Sequence, residues 1–95
     1  RLALTAIRVR LEQRQFATAR RLLESAKLDG VADVACYVTT LTACHRAGRH
    51  REAKRVVAGA ASDTRLAPAD LRRIRAAHGR ARRAVSQGGE RPMAA

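Results

Sequence analysis

The stretch from 33 to 57, DVACYVTTLTACHRAGRHREAKRVV, constrains this chain more than any other. Helical spacing places Tyr37, Leu41 and Cys44 on one apolar stripe, and Ala53, Val56, Val57 and Ala60 on a second. Gly48 punctuates the join between them. Neither helix is long enough to hold its shape alone in water. Each must bury its stripe against the other and against neighbouring pairs of helices. A chain organised around such a hairpin needs further copies of it.

The flanking sequence supplies them. Leu4, Ile7 and Leu11 predict a helix over 2–13, and Phe16, Ala19, Leu22, Leu23 and Ala26 predict a second that runs to about Lys27. Gly30 fits the left-handed turn that ends this helix, and Asp33 fits the cap of the next. A shift of 34 residues carries Ile7 onto Leu41, Phe16 onto His50, Ala19 onto Ala53, Leu22 onto Val56 and Leu23 onto Val57. Coincident apolar positions at such a period are the mark of a helical-hairpin array. Residues 59–67 read as a connector. Pro68 and Asp70 suit the first turn of a fifth helix, whose stripe is Leu71, Ile74, Ala81 and Val85.

With Phe16 and Tyr37 as the sole aromatics and no Trp, packing must come from Ala, Leu and Val, which suits close helix contacts. The chain of 95 residues allows one small domain. The expected fold is therefore all-α: antiparallel helical hairpins stacked as a short α-solenoid. Residues 1–33 form a degenerate hairpin and 34–70 a well-formed one. Residues 71–87 give the first helix of a partial third unit, and 88–95 a flexible tail.

Charge points to a polyanionic partner. Twenty Lys and Arg against eight Asp and Glu give a formal charge of +12, and nearly all of the excess is Arg. Arg pairs bidentately with phosphate and stacks on bases, which favours nucleic acid, although a composition rich in Arg and Ala also follows from a GC-rich genome. The densest set is on the fifth helix, where Arg72, Arg73, Arg75, Arg80, Arg82 and Arg83 have no acid among them. Uncompensated cations repel one another unless an anion neutralises them. Arg8 and Arg10 add to the first helix.

Other chemistries fit poorly. Cys36, Cys44, His45 and His50 are all metal-binding types, but Cys36 and Cys44 are eight apart, Cys44 and His45 point in different directions on a helix, and no Cys-x-x-Cys exists. No metal or other cofactor is expected. The cysteines read as reduced intracellular thiols, and His78 as an isolated helix-surface residue or an RNA contact. Glu12, Glu24 and Glu52 read as solvated helix partners, Glu24 for Lys27. No phosphate loop or nucleophile elbow is present, so neither an enzyme nor a small-molecule substrate is expected. No apolar run approaches membrane-spanning length, and the fifth helix lacks the aromatics of a membrane-surface helix.

Asp33, Val34, Tyr37, Leu41, Cys44, Arg46, Ala47, Gly48, Arg49, Glu52, Ala53, Val56 and Val57 stand in the order of a known motif. The stretch resembles a pentatricopeptide repeat, and Leu66 to Asp70 is similar to that family's Pro-Asp ending. Residues 2–33 resemble the same repeat in degenerate form, with Arg14 where Gly would stand. The related tetratricopeptide repeat is similar in size. The absent Trp and the Asp-Val-x-x-Tyr start favour the former. The resemblance implies RNA binding in a mitochondrion or chloroplast, along a surface lined by the first helices of successive repeats.

By the same resemblance the base-selecting place is Val38, with Asp70 or Pro68 as its closing partner; Leu4 and about Arg75 are the counterparts in the other units. Val38 offers no hydrogen bond, and Arg46 falls where a basic residue touches the RNA backbone. Apolar reading positions with a heavy Arg load suit phosphate contacts to folded RNA better than sequence reading. The expectation is a protein that clamps structured RNA, namely ribosomal RNA as an organellar ribosome component among other ribonucleoprotein subunits. The alternatives are a protein-binding scaffold of the tetratricopeptide kind and a piece of a longer, sequence-specific RNA-processing factor. A chain that opens on Arg1 rather than Met leaves room for a preceding part, a targeting peptide included.

Overall fold

The computed structural model describes the backbone of residues 2–94 and the side chains of residues 2–84. All of its regular structure is helical, as the spacing predicts: α1 (Leu2–Glu12), α2 (Phe16–Leu28), α3 (Val34–Arg46), α4 (His50–Ala61) and α5 (Pro68–Ala94). α5 begins at the proline, whose fixed φ suits a first turn. It then continues through the residues expected to form a tail. Gly88 and Gly89 lie inside it although glycine disfavours a helix interior.

The turns inside the two hairpins repeat at the predicted offset. Arg14 and Gly48, 34 apart, have φ of 60° and 75°. The amide of Gln15 donates to Arg10 O at 2.9 Å, and that of Arg49 to Cys44 O at 2.7 Å, again 34 apart. The same left-handed turn is thus made once with glycine and once with arginine. Gly30, φ 74°, ends α2. Asp33 caps α3, its Oδ1 accepting from the Cys36 amide at 3.0 Å. That bond holds the Asp33 carboxyl below the usual carboxylate range.

Each helix touches the next and the next but one, and none farther. α3 therefore packs on all four others, with α1 on one side and α5 on the other. Its core face carries Tyr37, Leu41 and Cys44, each at most 1% exposed, and it meets Ile7 of α1 and Ile74 of α5, both fully buried. Burying such aliphatic side chains contributes about 1.5–3 kcal/mol each, more than a surface ion pair does. Polar groups also enter this core. Thr40 turns its hydroxyl back to Cys36 O at 2.7 Å, and Tyr37 Oη donates to Asp63 Oδ2 at 2.7 Å. Asp63 Oδ1 also accepts from the Arg65 amide at 3.0 Å, so the connector after α4 is tied to the first turn of α3.

The carboxylates depart from expectation. Glu24 pairs with Arg20, four residues before it, at 3.2 Å, and Lys27 reaches across to the Ser62 hydroxyl instead. Arg20 Nε also meets Glu52 at 2.5 Å, which ties α2 to α4, and Arg55 lies 3.7 Å from the other oxygen of Glu52. Glu52 is thus an inter-helix bridge rather than a solvated residue. Arg20 on α2 faces α4 across the contact, a relation that sequence separation conceals.

Candidate nucleic-acid interface

Because α3 lies between α1 and α5, one side of it borders two hollows. The first, about 530 Å³, lies between α1 and α3 and is lined by Arg8, Leu11, Glu12, Val38, Thr42 and Arg46, among others. The second, about 270 Å³, lies between α3 and α5 and includes Val38, Thr42, His45, Arg46, Ala77 and Arg80. Val38, Thr42 and Arg46, spaced four apart on α3, form the ridge between them. Leu11 and Glu12 of the first hollow are replaced, 34 residues on, by His45 and Arg46 of the second. Glu12 thus shares the first hollow with Arg8 and Arg46, while its 34-residue counterpart, Arg46, borders both hollows.

This face gathers Arg8, Arg46, Arg80 and the half-buried Val38. The three arginines are exposed, and among the described residues no acid pairs with any of them. The acids that do form pairs, Glu24 and Glu52, are engaged by Arg20 and Arg55. Arg10 is turned away toward the end of α1, where it donates to Gln15 at 3.1 Å and Gln13 at 3.4 Å.

The other arginines of α5 do not form one row. With Ile74 and Ala77 buried, the helical period puts Arg73 and Arg80 on the side of the second hollow, Arg75 and Arg82 on the opposite side, and Arg72 and Arg83 outward. All six are exposed. Six cations spread over three sides relieve part of their mutual repulsion, and they do not all face the same hollow.

Two features escape sequence reasoning. Arg14 and Arg49 each hold a guanidinium 5.7 Å from the centre of the Phe16 ring, beside a hollow of about 280 Å³ at the hairpin turns. Their equivalent places at the two turns are the signal that could have found them. The second feature corrects the reading of His78 as isolated. His45 Nδ1 lies 2.9 Å from His50 Nδ1, and His45 Nε2 lies 2.9 Å from His78 Nδ1. α3 and α5 bring these rings together across 33 residues of chain. Burial pushes His45 down to about 4, helped by the neighbouring His78, His50 and Arg82; it lowers His78 as well, with Arg82 and Lys54 adding to it.

His45 spends one ring nitrogen on each neighbour, so the three rings do not converge on a point. Among the described residues no group of three or more His, Cys, Asp or Glu is placed to hold a metal ion. Cys36 and Cys44 are free and buried. No helix among these residues is long and apolar enough to cross a membrane. Comparison with known proteins finds no matching family model, no matching curated sequence and no matching solved structure.

Proposed function

We propose that this chain is a short α-solenoid of pentatricopeptide-like hairpins that binds structured RNA through phosphate contacts, without catalysis, cofactor or small-molecule substrate. The observation that carries the reading is the placement of Arg46 on a ridge bordering two hollows, with Arg8 and Arg80 opposite it and, among the described residues, no carboxylate ion-paired with any of the three. Unpaired guanidinium groups around concave surfaces fit successive phosphates, and they add affinity without specifying bases. Val38 on the same ridge has no polar atom to read a base edge. Ribosomal RNA within a mitochondrial or chloroplast ribonucleoprotein is the target in keeping with the repeat resemblance, and membership of a longer RNA-processing factor is its variant.

Filter binding of a folded RNA across a salt series tests this. A steep fall of log K with log salt is expected, and replacing Arg46 and Arg80 by Ala should reduce the slope by about 1 for each phosphate that is no longer neutralised. A nearly flat dependence overturns the reading. The second hollow favours one rival, a protein-binding scaffold, because Ala77, Ala81 and Ala84 give it an apolar wall. Crosslinking decides between them. Recovery of RNA supports the first, and recovery of protein alone supports the scaffold.

A further inference from the structure

The row formed by His50 of α4, His45 of α3 and His78 of α5 is a hydrogen-bonded chain with a fixed capacity for protons. Its two ring-to-ring contacts are both 2.9 Å, and His45 at its centre is 1% exposed. Each contact needs one proton between two nitrogens. Three neutral imidazoles carry three ring protons, so two lie in the contacts and the third sits on the Nε2 of either His50 or His78. One added proton finds the other Nε2, and both bonds survive. A further proton must enter a nitrogen already inside a contact, which sets two N–H groups against each other. The row therefore holds one extra proton intact and cannot hold two.

We propose that this row is an acid-operated latch: while it carries no more than one extra proton it fastens α5 to α3 and α4, and a second proton breaks a link and loosens α5. The outer end of the row at His50 is exposed and meets solvent. The second added proton must enter the buried part of the row. The charged groups acting there are Arg82 from α5 and Lys54 from α4, besides the histidines themselves, and Arg46 of α3 and Arg80 of α5 line the same hollow as His45; among the described residues no group of α1 or α2 contributes to either shift. Among the described residues no carboxylate offsets the added charge, so the repulsion falls on the α5 contact. This role is independent of RNA binding.

The pH window follows from the shifts. Unfolded, each imidazole titrates near 6.5, whereas His45 in the fold is held down to about 4. Between those values the unfolded chain binds more protons than the folded one. The stability is fully present above about 6.5, falls as pH drops through the window, and levels off below the folded value. The folding equilibrium should shift by up to about tenfold per pH unit for each histidine kept neutral.

Amide hydrogen exchange along the whole chain, from pH 7 to 5 and corrected for intrinsic rates, reads the latch directly. Amides of α5 should lose protection relative to those of α2 as pH falls. His78→Phe, which removes one link and one site, should reduce that loss. Equal behaviour of α5 and α2 over this range overturns the proposal, and so does a His78→Phe chain that keeps the full pH dependence. The wild-type exchange decides the matter even where the variant does not fold. Nitrogen-15 shifts of the His45 ring give a second measurement: a ring still neutral at pH 5 supports the latch, and one protonated near 6.5 overturns it.

Discussion

At the scale of single residues, Gly48 and Arg14 make the same turn at different cost. Both take positive φ, and a Cβ added at Gly48 would meet nothing within 4 Å. The penalty for a side chain there is therefore backbone strain alone, on the order of 1 kcal/mol. Gly48→Ala should lower the urea midpoint of unfolding by the equivalent of about 1 kcal/mol without changing the m-value. Gly48 was legible in the sequence because a left-handed turn between two amphipathic stripes asks for glycine. The Tyr37–Asp63 bond was not, since its partners lie 26 residues apart and one sits in a connector. Burial and the Asp63 hydrogen bond both raise the Tyr37 phenol above its ordinary range, as befits a hydroxyl that acts as a donor in the core.

At the scale of an element, α3 depends on its cap and on its neighbours. Asp33→Ala removes the acceptor for the Cys36 amide and should cost about 1 kcal/mol in chemical unfolding at pH 7. The Asp33 carboxyl titrates lower in the fold than its ordinary value of 3.8, so its contribution is present above that value and is lost only as pH falls through the lowered one. The cap should thus persist over the range in which the histidine row weakens. Unfolding measured at pH 7 and pH 5 checks this: the Asp33→Ala penalty should be the same at both. The existence of all five helices could be read from period 3.6 and from Asp33, Pro68 and the glycines. The extent of α5 could not, because Gly88, Gly89 and Pro92 are residues that ordinarily signal a stop.

At the scale of the whole molecule, the ion pairs among the described residues lie away from the two hollows that α3 borders. Glu24 and Glu52 serve the α2 and α4 contact through Arg20, while the arginines of α1, α3 and α5 that border the hollows have no such partner. The core is closed enough to silence both thiols. Burial raises Cys36 and pushes Cys44 up to about 11, the latter with a smaller push from Glu52. A thiol reagent at pH 8 should label neither cysteine in the native chain, and the labelling rate in denaturant should follow global unfolding. Rapid labelling of Cys44 in buffer would contradict the packing of α3 against its four neighbours.

By itself the sequence determined what local physics governs: an all-helical chain, the hairpin turns, the 34-residue offset that both turns repeat, and the excess of arginine. Each follows from interactions among residues a few positions apart, or from counting. The tertiary structure alone decided which arginines share a surface, since Arg8, Arg46 and Arg80 lie on three helices and only the packing of α3 between α1 and α5 brings them together. It also decided the fate of the histidines. A residue alone on its own helix says nothing of the rings that two other helices deliver to it, and His78 acquired its partner across 33 positions of chain.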